Sequence, residues 1–137
     1  ETRLQQAYMA AFNSQDTLWW KKEIEGLNNQ IAIDRDDIMF PVYNRLKSFL
    51  SIIAYSYCNN AFKENNLQKA AQYIIIYQMA DPGNADVLYF KALLSLRQGN
   101  NKKAAEFYRQ AVNMGFSDFN KARQEMPSSI FLLSEEQ

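Results

Sequence analysis

The sequence predicts an all-α fold, a short stack of helical hairpins, and three observations carry that prediction. The first is an internal repeat. Moved along the chain by 34 residues, Ala54 falls on Leu88, Cys58 on Ala92, Asn65 on Gly99, Ala70 on Ala104, Ala71 on Ala105, Tyr73 on Phe107 and Ile74 on Tyr108. A period of this length marks a helical unit that stacks on its neighbours. The second is that each copy reads as two amphipathic helices around a polar turn, Glu64-Asn65-Asn66 in one and Gln98-Gly99-Asn100-Asn101 in the other. The third is the punctuation: Asp81-Pro82-Gly83-Asn84 is a strong stop, and Gly115 and Pro127 interrupt the later part of the chain. One such helix pair cannot bury its apolar face alone, so pairs must stack.

In chain order, residues 2–13 place Leu4, Tyr8, Ala11 and Phe12 on one helical face. Ser14-Gln15-Asp16 is a turn, with Asp16 as N-cap of a helix from about Thr17 to Ile31. In that helix Trp20, Ile24, Leu27 and Ile31 form the buried stripe. Trp19 and Trp20 are adjacent and cannot share a face, so one is expected in the core and the other at an edge. Residues 1–32 thus read as a degenerate helix pair ahead of the two clear units. Ala32 to Asp37 is a connector whose acidic residues, Asp34, Asp36 and Asp37, suit the positive end of the next helix better than a cation loop.

That next helix is expected from about Asp37 to Lys63, with Pro41 in its first turn, where no backbone donor is needed. Tyr43, Leu46, Phe49, Leu50, Ile53, Ala54, Tyr57 and Ala61 make its stripe, and a break near Ser48 is the alternative. Leu67 to Met79 is its partner, so residues 37–82 form the first repeat, with an extended first helix. Ala85 to Arg97 and Lys102 to Asn113 form the second repeat, residues 85–115. Asn65 tolerates the left-handed conformation that Gly99 adopts freely, so both can end a helix. Ala70 and Ala104 are small where two helices must cross. Residues 117–133 are expected to cap the stack: a short helix capped by Ser117 or Asp118 and stopped before Pro127, then a last turn whose Ile130, Phe131 and Leu132 cover the open end. Ser134 to Gln137 are expected to fray. Together these segments make one helical-repeat domain over residues 1–137.

The repeat resembles the tetratricopeptide repeat family, whose unit is a 34-residue helix–turn–helix. In the second copy Leu88, Ala92, Gly99, Ala104, Tyr108 and Ala111 stand at the family's marked positions. In the first copy those places hold Ala54, Cys58, Asn65, Ala70, Ile74 and Tyr77, and Pro82 stands where the family has its closing proline. Lys91, Ser95 and the large Tyr77 depart from the pattern. The resemblance implies a tetratricopeptide-like α-α superhelix. Its function would be that of a non-catalytic scaffold or adaptor, which binds a peptide or protein in a groove lined by the first helix of each unit. By position, the groove residues are Tyr55, Asn59, Phe62 and Lys63 in one copy and Tyr89, Leu93, Leu96 and Arg97 in the other. Each set recurs at i, i+4, i+7 and i+8, on one helical face. Asn59 stands where carboxylate-clamping members place an asparagine, but Tyr55 replaces the preceding lysine, so no carboxylate clamp is implied. The alternative, with the same residues packed as core and no open groove, is a structural or self-associating module whose exposed aromatics form a homodimer.

Composition bounds the chemistry. The 15 basic and 15 acidic side chains cancel, which argues against nucleic acid as partner, since counterion release needs excess Lys and Arg. There is no histidine, which removes the commonest general base and metal ligand. The one cysteine, Cys58, falls on a packed helical face and reads as a small hydrophobe. No phosphate loop, metal-ligand spacing or nucleophile elbow is present, so neither an enzyme nor a cofactor is expected. No apolar run is long enough to cross a bilayer. A chain opening on Glu1 rather than Met, with its Asn-, Gln- and aromatic-rich flavour, resembles exported bacterial repeat proteins. The expectation is therefore a periplasmic or lipid-anchored protein whose leader has been removed.

Overall fold

The computed structural model describes residues 2–33 and 40–135. Among the described residues the chain forms eight helices and no strand: α1 (Thr2–Ser14), α2 (Thr17–Ile33), α3 (Phe40–Lys63), α4 (Leu67–Ala80), α5 (Ala85–Arg97), α6 (Asn101–Asn113), α7 (Phe119–Glu125) and α8 (Ser128–Glu135). The all-α prediction holds. The chain divides into two compact units, Glu1–Asp81 and Pro82–Gln137, with the seam in the Asp81-Pro82 turn. The acidic residues Asp34, Asp36 and Asp37, and the expected start of the long helix at Asp37, lie outside the described residues.

In the first unit α3 pairs with α4, α2 packs on both, and α1 lies on α3. An aromatic cluster ties α1 to the rest. Phe12 stacks on Tyr57 with ring centres 4.5 Å apart, and meets Trp20 at 4.7 Å and Tyr73 edge-on at 5.9 Å. Such pairs contribute about 0.5–1.5 kcal/mol each beyond the area they bury. The polar ends of the rings find partners: Tyr57 donates to the Met9 carbonyl at 3.0 Å and Tyr73 to Asn13 Oδ1 at 3.0 Å. Trp20 is fully buried and Trp19 half-buried, edge-on to it at 5.1 Å. Asp16 caps α2 by accepting from the Trp19 N–H at 2.8 Å. Leu4, expected on the buried face of α1, is exposed. The long helix runs unbroken through Ser48.

In the second unit α5 pairs with α6, and α8 packs on α6. Tyr89 stacks on Phe116 with centres 4.5 Å apart, and its hydroxyl donates to Glu125 Oε1 at 2.6 Å. Glu125 also accepts from Lys121 Nζ at 3.2 Å. The short α7 is thereby anchored to α5. Phe116 is buried where a left-handed helix closure normally sets an apolar side chain against the last turn.

The two turns share one geometry. Asn65 has φ 54° and Gly99 φ 85°, the left-handed region. Each is followed by a backbone bond reaching back over the turn: Asn66 N–H to the Ala61 carbonyl at 2.8 Å, and Asn100 N–H to the Ser95 carbonyl at 2.9 Å. The same asparagines then cap the next helix, accepting from Lys69 N–H at 3.1 Å and Lys103 N–H at 3.0 Å. Gly115, at φ 107°, ends α6 in the same way, with Phe116 N–H bonded to the Ala111 carbonyl at 2.9 Å.

The C-terminus differs from expectation. Of the two cap residues expected for α7, Asp118 is the one that caps it, accepting from the Lys121 N–H; the difference lies further along the chain. α8 extends through Ser134, which is buried and whose hydroxyl donates to the Phe131 carbonyl at 2.7 Å. Of the three expected capping residues only Ile130 is buried; Phe131 is half-buried and Leu132 is 62 % exposed. Three consecutive helical residues point in directions about 100° apart, so they cannot all cover one surface.

Candidate interaction surfaces

The expected groove residues divide by burial. On α3, Tyr55 and Asn59 are half-buried and Lys63 is exposed, while Phe62 is buried. On α5, Leu96 is half-buried and Arg97 exposed, while Tyr89 and Leu93 are buried. The assignment of Phe62, Tyr89 and Leu93 to an open surface is therefore corrected. Tyr89 is held inside its own unit by the Phe116 stack and the Glu125 hydrogen bond. A helical face one residue wider than its groove turns the same spacing inward, which periodicity alone does not distinguish. Tyr55, Asn59, Leu96, Lys63 and Arg97 remain as accessible or partly accessible positions, in two strips that belong to different units.

Among the described residues several clefts of similar size lie elsewhere, and three of them bear on function. One, of about 340 Å³, opens where α3 passes the end of α4. It is polar, lined by Asn44, Lys47, Ser48 and Asp81, and Ser51 Oγ closes its wall by donating to Asp81 Oδ2 at 2.9 Å. A second, of about 280 Å³, is lined by Asn13, Tyr57, Glu64, Lys69 and Tyr73, whose hydroxyls are already engaged. The third, of about 300 Å³, is formed by α6, the start of α7 and α8. It is the most apolar of the three, with Val112, Phe119 and Phe131 beside Arg109 and Glu135. None of these five residues was identified from the sequence as a contact residue. The available signal was Val112 and Phe119, apolar residues standing among Asn113, Ser117 and Asn120.

The perturbed protons belong to packing. Burial pushes the Tyr8 hydroxyl up to about 12, helped by the nearby Glu23 carboxylate and its hydrogen bond. Burial raises Tyr73 and Tyr108 as well, the Arg123 cation partly opposing it at Tyr108. Burial also drives the Cys58 thiol upward, so it stays protonated and a poor nucleophile. Among the described residues no group of three or more Cys, Asp and Glu side chains is placed to hold a metal ion. No helix among them is long and apolar enough to cross a membrane.

No protein-family model matches this chain, and comparisons with curated proteins and with solved structures likewise return no match.

Proposed function

We propose that this chain is a non-catalytic interaction module of the tetratricopeptide kind, an adaptor that holds a peptide or protein partner. One observation carries the reading: the local geometry repeats in step with the sequence. Asn65 and Gly99 are both left-handed, and Asn66 (φ −94°, ψ 86°) and Asn100 (φ −101°, ψ 83°) cap with the same backbone shape. Ala70 and Ala104 are each wholly buried after their turn. That coincidence supports two copies of one hairpin, the unit from which such grooves are built.

The partner surfaces in this reading are the accessible remainders of the expected groove, one in each unit: Tyr55, Asn59 and the cationic Lys63 on α3, and Leu96 and the cationic Arg97 on α5. A strip that carries an apolar or aromatic side chain and, further along the same helix, a cation suits an extended peptide with acidic residues. Selection of displayed random peptides on the immobilised chain is expected to enrich one apolar, acidic motif. Titration calorimetry should then show that Lys63→Glu with Arg97→Glu weakens the selected peptide by about tenfold or more. Failure to enrich any motif, or an affinity unchanged by the double reversal, would overturn the reading.

A further inference from the structure

We propose that the cleft of α6, α7 and α8 is a self-pairing surface, where two copies of this chain meet with Arg109 of each against Glu135 of the other around Val112, Phe119 and Phe131. Its residues lie outside the α3 and α5 strips, so the inference stands apart from the adaptor reading.

The cleft is unusually apolar for an exposed place. Val112 is 38 % exposed and Phe119 42 %, and both line the cleft with Phe131 of α8. The half-buried Phe131 leans on Tyr108 with ring centres 5.1 Å apart. Contiguous apolar surface of this sort marks a contact site.

The charges at the cleft say what the contact is with. Arg109 lines the cleft half-buried, and its buried Nε has no hydrogen-bond partner among the described residues, so its guanidinium is only part-satisfied within its own chain. Glu135 lines the same cleft from the end of α8. Among the described residues neither Arg109 nor Glu135 has an ion-pair partner, and they are not paired with each other. An occupant of one charge would answer only one of the two. A second copy answers both, because a two-fold contact requires a patch to be its own complement. Turned about such an axis, the cation on α6 meets the carboxylate on α8 twice over. The chain's 15 basic and 15 acidic side chains leave no net charge to oppose the approach. A contact confined to one cleft of about 300 Å³ predicts a weak, reversible dimer.

Sedimentation velocity on the full chain, from micromolar to millimolar concentration, is the test. The wild type is expected to shift from monomer towards dimer. Arg109→Glu alone and Glu135→Arg alone should each weaken pairing by about tenfold or more, since like charges then face each other twice. The two reversals together should restore it, which a merely structural role for either residue would not do. Val112→Asp, with its helix content checked by circular dichroism, should abolish pairing without unfolding the chain. A monomer at every concentration, or a dimer indifferent to these reversals, would overturn the proposal.

Discussion

Replacing Gly99 tests the turn on which the repeat depends. Its φ of 85° lies where a side chain is disfavoured, yet a Cβ built there meets nothing within 4 Å. The cost of Gly99→Ala is therefore backbone strain alone, about 1–2 kcal/mol for a left-handed alanine. The stiffer unfolded chain returns about 0.4–1 kcal/mol, leaving a net loss of about 1 kcal/mol. The closing bonds, Gly99 N–H to the Leu96 carbonyl at 3.0 Å and Asn100 N–H to the Ser95 carbonyl at 2.9 Å, are backbone bonds and survive the change. Gly99→Asn should cost less, because Asn65 occupies the equivalent place at φ 54°. Urea unfolding followed by far-ultraviolet circular dichroism would measure both. A stabilising Gly99→Ala would show that residue 99 is not left-handed. A loss above about 3 kcal/mol would reveal a steric contact that the structure lacks.

Other perturbations give equally definite outcomes. Trp20→Ala empties a fully buried site ringed by Tyr8, Phe12 and Trp19, and should cost about 3–5 kcal/mol in the same unfolding assay. Tyr89→Phe removes the 2.6 Å donation to Glu125 while keeping the Phe116 stack, and should cost about 1.5–3 kcal/mol. Tyr8 holds its proton more tightly when folded, to about 12 against an ordinary 10.0. Its contribution is therefore intact below pH 10 and lost as pH rises from 10 towards 12. Alkaline unfolding curves for Tyr8→Phe should fall less steeply over that window than those of the wild type.

Much of the fold was legible because its signals are local. The left-handed Asn65 and Gly99, the stop at Pro82 and the cap at Asp16 depend on a few neighbouring residues, and each appears where the sequence predicts it. The end of α8 was not legible, since Ser134 is a polar residue that the packing of α8 on α6 buries, its hydroxyl satisfied by the Phe131 carbonyl. Nor was the role of Phe116, which reads as an ordinary apolar residue after a glycine but fills the space beside Tyr89. The interaction surface was the hardest part. Tyr89 and Leu93 carry the spacing of an exposed strip and are core, whereas Arg109 and Glu135 are ordinary surface charges in sequence and share a cleft only through the packing of α8 on α6. Periodicity gives the face of a helix but not what lies against it.

The central claim is that α3–α4 and α5–α6 are two copies of one hairpin whose turns are interchangeable. Writing the residues of 99–104 into 65–70 changes three positions, Asn65→Gly, Leu67→Asn and Gln68→Lys, and leaves Asn66, Lys69 and Ala70 as they are. Thermal unfolding of this exchanged chain is expected to remain cooperative at full helix content, with stability reduced by only about 1–2 kcal/mol for the half-buried Leu67. Loss of helix content, or of the cooperative transition, would contradict it.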